Sequence, residues 1–265
     1  MNSVLTQSST KEDGTASTAA DQGSRALPFV LSLIAGATDV IGFLGLSGLF
    51  TAHITGNLVV LAAHVVAGDP TVVSYVLSVP VFMMTLFLTR LLAGGLERTG
   101  VPTLQPLLLL QLFFLVAFLS ICVTAAPWRN PDAILAVIAG MFGVAAMAVQ
   151  NALVQISLTN TPTAAVMTTN VTHFMLDLGE VLAGRDHAKV TQARTRATQA
   201  LPVIVGFAIG CGSGAAFEAA AGLWSLALPM ALGLLAFVMG LADRGRPHKN
   251  SGSRRGTARR LSRLR

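Results

Sequence analysis

Charged residues are scarce in this sequence. Aspartate, glutamate, lysine and arginine make up 11% of the 265 residues, whereas hydrophobic residues make up 53% and the mean hydropathy is +0.67. A soluble domain carries roughly 25% charged residues, so the composition excludes an ordinary soluble protein. It predicts an integral membrane protein.

Cysteine and cofactor motifs are scarce as well. The two cysteines, Cys122 and Cys211, both fall inside apolar runs, so no disulfide framework is predicted. Phosphate-binding glycine loops, paired-cysteine motifs and haem ligands are missing at the required spacings. His53 and His64 are too far apart in the sequence to form a local metal-ligand pair. We therefore expect no cofactor, no metal and no enzymatic activity.

Long apolar runs are abundant. Six of them are long enough to cross a bilayer, which takes about 20 residues: 27–48, 72–94, 104–126, 132–156, 200–221 and 223–242. Two shorter and more polar segments, 52–68 and 163–183, are ambiguous. Barrel strands alternate in polarity at every second residue, whereas these runs are continuous. The predicted fold is an all-α polytopic transmembrane helix bundle.

Polar tails flank the predicted transmembrane domain, residues 26–242. Residues 1–25 are rich in Ser, Thr and Asp and predict a disordered tail. Residues 243–265 are basic and account for most of the net charge of +6. Basic clusters beside a membrane helix face the cytoplasm and contact anionic lipid headgroups. We favour this interpretation over a nucleic-acid-binding arm.

The domain divides into two similar halves, about 26–126 and 132–242. HITGNLVVL (53–61) aligns with VMTTNVTHF (166–174), and each segment follows a span with a polar interruption. The alignment pairs Thr55 with Thr168 and Asn57 with Asn170. Several matches in the same order favour an internal duplication.

The number of spans depends on the two polar segments. If they re-enter the membrane without crossing it, the chain has six spans and the halves are inverted. If they cross, it has eight spans and the halves are parallel. The six-span arrangement leaves only Arg129 outside and puts the following residues in the cytoplasm: Arg90, Arg98, Arg185, Lys189, Arg194 and Arg196. The positive-inside rule therefore favours six spans.

Polar residues in these segments are the candidate site. Asp39 lies within the first span, where a charged side chain costs roughly 2.5 to 3.5 kcal/mol. Paired interrupted segments in two repeats mark the binding site of many transporters. The candidates for a substrate or ion path are Asp39, His53, Thr55, Asn57, Gln150, Asn151, Thr168, Asn170, His173 and Asp177. Alternatively, these residues only hydrogen-bond neighbouring helices.

Three further patterns leave alternatives open. His173, Asp177 and Glu180 share a helix face that could relay protons or form the wet end of an amphipathic helix. The small-residue ladder Gly206, Gly210 and Gly214 indicates close helix packing, either inside the chain or in a homo-oligomer. Ser47, in GLSG, resembles the serine motif of rhomboid intramembrane proteases, but here the motif closes the first span, which favours a plain turn.

The stretch AGATDVIGFLGLSGLFTAHITGNLVVLA (35–62) resembles the opening of the YoaK-like family of bacterial multi-pass membrane proteins. The resemblance covers most of 27–242 and includes Gln150 and Asn151. It implies a bacterial inner-membrane protein with six spans, and it implies no substrate. Family members often carry Thr-Gly where this chain has Thr168-Thr169.

These patterns predict a small-solute or ion transporter or channel with a polar site between the two halves. The alternative is a non-transporting scaffold or accessory subunit, in which the same polar residues hold helices together. A remote alternative is an intramembrane serine protease.

Overall fold

A computed structural model describes residues 26–68, 73–124, 133–158 and 161–244. This part of the chain forms eight α-helices. They are α1 (Ala26–Gly45), α2 (Ile54–Ala67), α3 (Val73–Arg98), α4 (Leu104–Thr124), α5 (Ile134–Ser157), α6 (Met167–Ala183), α7 (His187–Ala221) and α8 (Ala227–Arg244). Short 3-10 turns, Ala164–Val166 and Gly222–Leu226, precede α6 and α8. The predicted N-terminal tail and the basic tail beyond Arg244 lie outside the described residues.

Five candidate membrane spans are long and apolar enough to cross a bilayer. They are α1, α3, α4, α5 and the stretch His187–Ala242, which contains α7, a 3-10 turn and α8. The helices α2 and α6 are shorter, with 14 and 17 residues. The chain is thus an all-helical, multi-pass membrane protein in the part described, which confirms the predicted class.

Helix α7 begins earlier than the apolar run 200–221 predicts. It has 35 residues, which corresponds to about 52 Å and exceeds a hydrocarbon core of about 30 Å. The Asp186 side chain caps it by accepting the backbone N–H of Ala188 at 2.9 Å. The added turns carry Lys189 and Arg194, so hydropathy detects only the later, apolar part of the helix.

The helices α1 and α5 form the centre of the bundle. Within each, 72% of the most apolar window is buried, against 17% in α3 and 33% in α4. Helix α5 packs against both α3 and α4. The outer helices leave apolar side chains exposed, such as Met83, Phe87 and Leu91 on α3. Their spacing at every fourth residue puts them on one face of α3, as expected of a face that meets lipid.

Hydrogen bonds fix the directions of α1, α4 and α5. Thr103, just before α4, bonds Ser157 at the end of α5 (2.9 Å between hydroxyl oxygens). Gln111 Nε2 donates to Gln150 Oε1 at 2.7 Å, so α4 and α5 are antiparallel. Gln150 Nε2 donates to the carbonyl of Leu31, early in α1, at 2.9 Å. Since Gln150 lies late in α5, α1 and α5 are antiparallel as well.

Helices α4 and α8 are also antiparallel. Gln105 Nε2, at the start of α4, donates to the carbonyl of Gly240, late in α8, at 3.1 Å. Further along α4, Leu115 packs beside Gly233, which is nearer the start of α8.

The glycine ladder joins α7 to α1. A Cβ on Gly206 would lie 2.7 Å from the carbonyl oxygen of Phe29, and one on Gly214 would lie 2.9 Å from Cα of Ala37. Between them, Gly210 meets the backbone of Leu33. Rising residue numbers on one helix meet rising numbers on the other, so α1 and α7 are parallel. The ladder therefore packs inside the chain, which is one of the two predicted alternatives, and a homo-oligomer stays a prediction.

Candidate functional site

Asp39 is the centre of a buried polar cluster between α1 and α2. Its Oδ1 accepts the backbone N–H groups of Thr51 and Ala52, both at 2.7 Å. Its Oδ2 lies 2.7 Å from Nδ1 of His53. Asp39 is 4% exposed. We call Asp39, Thr51, Ala52 and His53 the Asp39 cluster. The Asp39 carboxylate accepts hydrogen bonds from backbone N–H groups that would otherwise be unpaired before α2.

The chain turns back toward the middle of α1 at the Asp39 cluster. Helix α1 runs six residues past Asp39, to Gly45, which is a rise of about 9 Å. Residues 51–53 nevertheless lie back at the level of Asp39. The Tyr75 hydroxyl, at the start of α3, donates to the carbonyl of Ser47, just after α1. The start of α3 therefore lies beside the end of α1, although residues 51–53 lie at the level of Asp39.

The two aligned asparagines have matching roles. Asn57 accepts the backbone N–H of Phe50 at 2.9 Å and donates to its carbonyl at 2.8 Å. Asn170 Nδ2 donates to the carbonyl of Thr163 at 2.7 Å. Each asparagine is the fourth residue of its short helix and binds the residue seven positions earlier.

The spans before these short helices, α1 and α5, also carry hydrogen bonds at aligned positions. The Thr38 hydroxyl donates to the carbonyl of Ile34 at 2.7 Å, and Asn151 Nδ2 donates to that of Met147 at 3.0 Å. Thr38 is separated from Asn151 by the same 113 positions that separate Asn57 from Asn170, and so is Ile34 from Met147. Asn151 therefore bonds within its own helix.

The halves differ where the asparagine bonds are made. In the first half, the ring of Phe50 packs on Gly56, and a Cβ there would lie 2.9 Å from the ring. The aligned residues in the second half are Thr163 and Thr169. Of these two threonines, Thr169 lines a cavity in the second half.

This cavity lies between α6 and α7 and has a volume of about 260 Å³. Its lining residues are Pro162, Thr169, Asn170, His173, Asp177, Arg196, Gln199 and Ala200. Asp177 is 7% exposed. Its Oδ1 accepts Nε of Arg196 at 3.0 Å and Nη2 at 2.5 Å. The structure thus brings three predicted site residues together in what we call the α6–α7 cavity.

A third polar group is buried among α1, α4 and α5. Gln111 donates to Gln150, which donates to the carbonyl of Leu31. Gln111 Oε1 is buried and has no hydrogen-bond partner within the described ranges. Both glutamines are under 5% exposed, so this chain of amides ties three helices together.

Thr55 and Thr168 do not join any of these groups. Both lie at exposed positions, on α2 and α6. Thr51, which the sequence analysis did not select, contacts Asp39 instead. His53 also packs edge-on against Phe207 of α7, with ring centroids 5.2 Å apart.

Sequence reasoning missed two other residues. Arg196 was counted only for topology, and 19 positions separate it from Asp177; the α6–α7 hairpin brings them together. Gln111 interrupts the apolar run LLLLQLFFLV, and a single polar residue inside a span is a signal that could have found it.

Within the part of the chain that the structure describes, no group of three or more His, Cys, Asp or Glu side chains lies where it could hold a metal ion. Ser47 lies in the turn after α1 with a positive φ of 56°. Its carbonyl binds Tyr75, and no hydrogen bond joins it to His173, which lines the α6–α7 cavity.

Apolar helices around buried polar clusters define a multi-pass membrane protein. The chain belongs to a family of proteins of unknown function, DUF1275, whose model matches residues 27–241. No curated protein and no solved structure matches the chain.

Proposed function

We propose that this protein is a small-solute or ion transporter or channel. Its path would pass the Asp39 cluster and the α6–α7 cavity. The observation that carries the proposal is the cavity, because a charged pair and further polar side chains gathered in one cavity of a membrane protein mark a route for polar solutes. Thr55 and Thr168 are left out of this path, since both lie away from the two sites.

The proposal includes six spans in two inverted halves. Helix α5 is antiparallel to α1 and to α4, so α1 and α4 run in the same direction. Two spans with the same direction are separated by an odd number of crossings. This condition is met if α3 crosses the membrane and α2 does not. Helix α2 would be re-entrant, which agrees with the return of the chain to Ser47 and Tyr75.

The same reasoning applies to the second half. Helix α8 is antiparallel to α4, so α5 and α8 share a direction. One crossing, α7, separates them, and α6 would be the second re-entrant helix. The aligned helices α1 and α5 are antiparallel, as inverted repeats require.

Helix α7 links the two proposed parts of the path. Ala200 lines the α6–α7 cavity, and Phe207 contacts His53 of the Asp39 cluster. Seven residues of helix correspond to about 10 Å. In the inverted arrangement the re-entrant helices enter from opposite sides, so the two polar sites would give a solute access from each side in turn.

The orientation follows from charge. With the C-terminus in the cytoplasm, Arg98, Arg185 and Lys189 also face the cytoplasm, in agreement with the positive-inside rule. We propose a bacterial inner membrane, as the YoaK-like resemblance implies, with the basic tail on anionic lipid headgroups.

The second candidate is a non-transporting scaffold or accessory subunit. The bonding of Asp39 favours it, because this carboxylate is fully used in holding residues 51–53. Asn57 likewise binds both backbone groups of Phe50. In a scaffold, such residues would affect stability alone.

Solute flux tests the proposal. Liposomes of phosphatidylethanolamine and phosphatidylglycerol containing the purified full chain are loaded with a mixture of amino acids, carboxylates, amines and inorganic ions. Loss of each solute is measured by mass spectrometry under imposed pH and potassium gradients. We expect at least one solute to leave faster than from protein-free liposomes. Asp177→Asn should reduce that rate at least tenfold while the melting temperature stays within a few degrees.

The matched control is Glu97→Gln, which alters an exposed ion pair with Arg90 on α3 and should leave flux unchanged. Equal loss of all solutes from protein-containing and protein-free liposomes would refute transport of these solute classes. Flux that Asp177→Asn leaves intact would exclude the cavity from the path.

A further inference from the structure

We infer that the α6–α7 cavity binds a small organic carboxylate on the free edge of the Arg196 guanidinium. This inference rests on the proposed function, because it names the class of solute for the same site. It is tested by binding rather than by flux, so the two can fail separately.

The guanidinium of Arg196 has two edges that can each hold a carboxylate. Asp177 occupies the edge formed by Nε and Nη2, at 3.0 and 2.5 Å from Oδ1. Among the residues described, Nη1 makes no hydrogen bond, and Glu180 acts on the guanidinium through its charge alone. The planar fork of an arginine binds carboxylates in pairs of hydrogen bonds, so the edge of Nη1 and Nη2 remains for a second carboxylate.

Asp177 fixes that edge in place. It is buried, with 9% of its side chain exposed, whereas the Arg196 side chain is 51% exposed. A free arginine side chain loses rotamer entropy when it binds a ligand. Here the ion pair has already restricted the guanidinium, so a ligand meets a donor that is held for it.

The rest of the lining suits a small anion with a short apolar part. Thr169, His173 and Gln199 supply groups that can donate hydrogen bonds, while Pro162 and Ala200 are apolar. Asp177 is the single acidic residue in the lining, and Arg196 neutralises it. The volume of about 260 Å³ accommodates a carboxylate of a few carbons.

Thermal stabilisation of the detergent-purified full chain tests the inference. Sodium propionate is titrated at constant ionic strength against sodium chloride, with propionamide as the uncharged isostere. Binding to the folded state should raise the melting temperature in a saturable manner, with propionate but not with propionamide. Arg196→Lys keeps a positive charge beside Asp177 but has no second planar edge. It should weaken propionate binding about tenfold or more.

Arg194→Lys is the matched control, because Arg194 is exposed on the same helix but does not line the cavity. It should bind propionate like the unaltered chain. The inference fails if chloride or propionamide stabilises equally, or if Arg196→Lys binds as well as Arg194→Lys. Stabilisation by phosphatidylserine micelles but not by propionate would overturn the free solute in favour of a lipid headgroup. Binding without any flux would refute only the transport proposal, and flux without propionate binding would refute only this inference.

Discussion

At the scale of single residues, the most informative position is Asp39. A charged side chain inside a span costs roughly 2.5 to 3.5 kcal/mol. The structure offsets this cost with two short bonds from backbone N–H groups and one from His53. A buried carboxylate can therefore organise the backbone around it, and the same contacts hold His53 at Phe207.

Asp39→Ala should destabilise the protein by about 2 to 4 kcal/mol, because it leaves the buried N–H groups of Thr51 and Ala52 unpaired at about 1 to 3 kcal/mol each. His53→Ala should cost less, since Asp39 would keep both backbone bonds. Unfolding by a denaturing detergent measures both variants. Glu97→Ala, at an exposed ion pair, should stay within about 0.5 kcal/mol. An effect of Asp39→Ala no larger than that of Glu97→Ala would contradict the structural role of this carboxylate.

At the scale of helices, the contact between α1 and α7 sets how closely the two halves approach. Three glycines on α7 let the backbone of α1 come within van der Waals distance. Small residues are the usual means of close packing in membranes, where lipid tails are as apolar as leucine. Because Asp39 is on α1 and both Arg196 and Phe207 are on α7, this contact also positions the two polar sites.

Gly210→Ala and Gly212→Ala form a matched pair on α7. A Cβ at Gly210 meets the backbone of Leu33 and Ala37, whereas one at Gly212 meets nothing within 4 Å. Gly210→Ala should lower the melting temperature by several degrees, since backbone atoms of α1 must shift. Gly212→Ala should leave it unchanged or raise it slightly, because alanine favours helix by about 1 kcal/mol over glycine. Equal melting temperatures would argue against the α1–α7 contact.

At the scale of the whole molecule, the directions of the helices decide how many times the chain crosses the membrane. Single contacts such as Gln105 with Gly240 and Gln150 with Leu31 link residues more than 100 positions apart. They tie the first half to the second and support the proposal that α2 and α6 do not cross.

Sidedness labelling with an impermeant thiol reagent on intact cells tests that implication. Single cysteines replace Arg98, Arg185 or Trp224 in a chain that lacks Cys122 and Cys211. With the C-terminus in the cytoplasm, both topologies put Trp224 outside and Arg185 inside, so these are the controls. Six spans keep Arg98 inside, and Arg98→Cys should not be labelled. Labelling at that position together with Trp224→Cys would instead favour eight spans.

Much of the fold was accessible from the sequence, because each apolar run must satisfy its own backbone hydrogen bonds as a helix. The predicted run 104–126 begins where α4 begins, and the ambiguous segment 52–68 contains α2. The alignment of Asn57 with Asn170 agrees with the structure, in which each asparagine is the fourth residue of its short helix. The start of α7 at His187 was missed, because its first turns are polar and hydropathy identifies only apolar helices.

The sequence by itself determined the membrane class and the apolar helices, because these depend on local composition and periodicity. Only the tertiary structure decided what the polar residues touch. Arg196 meets Asp177 because two helices form a hairpin, and Asp39 meets Thr51 because the chain turns back on itself. Such contacts depend on which helices pack side by side and at which residues, and no local pattern in a single sequence encodes that packing.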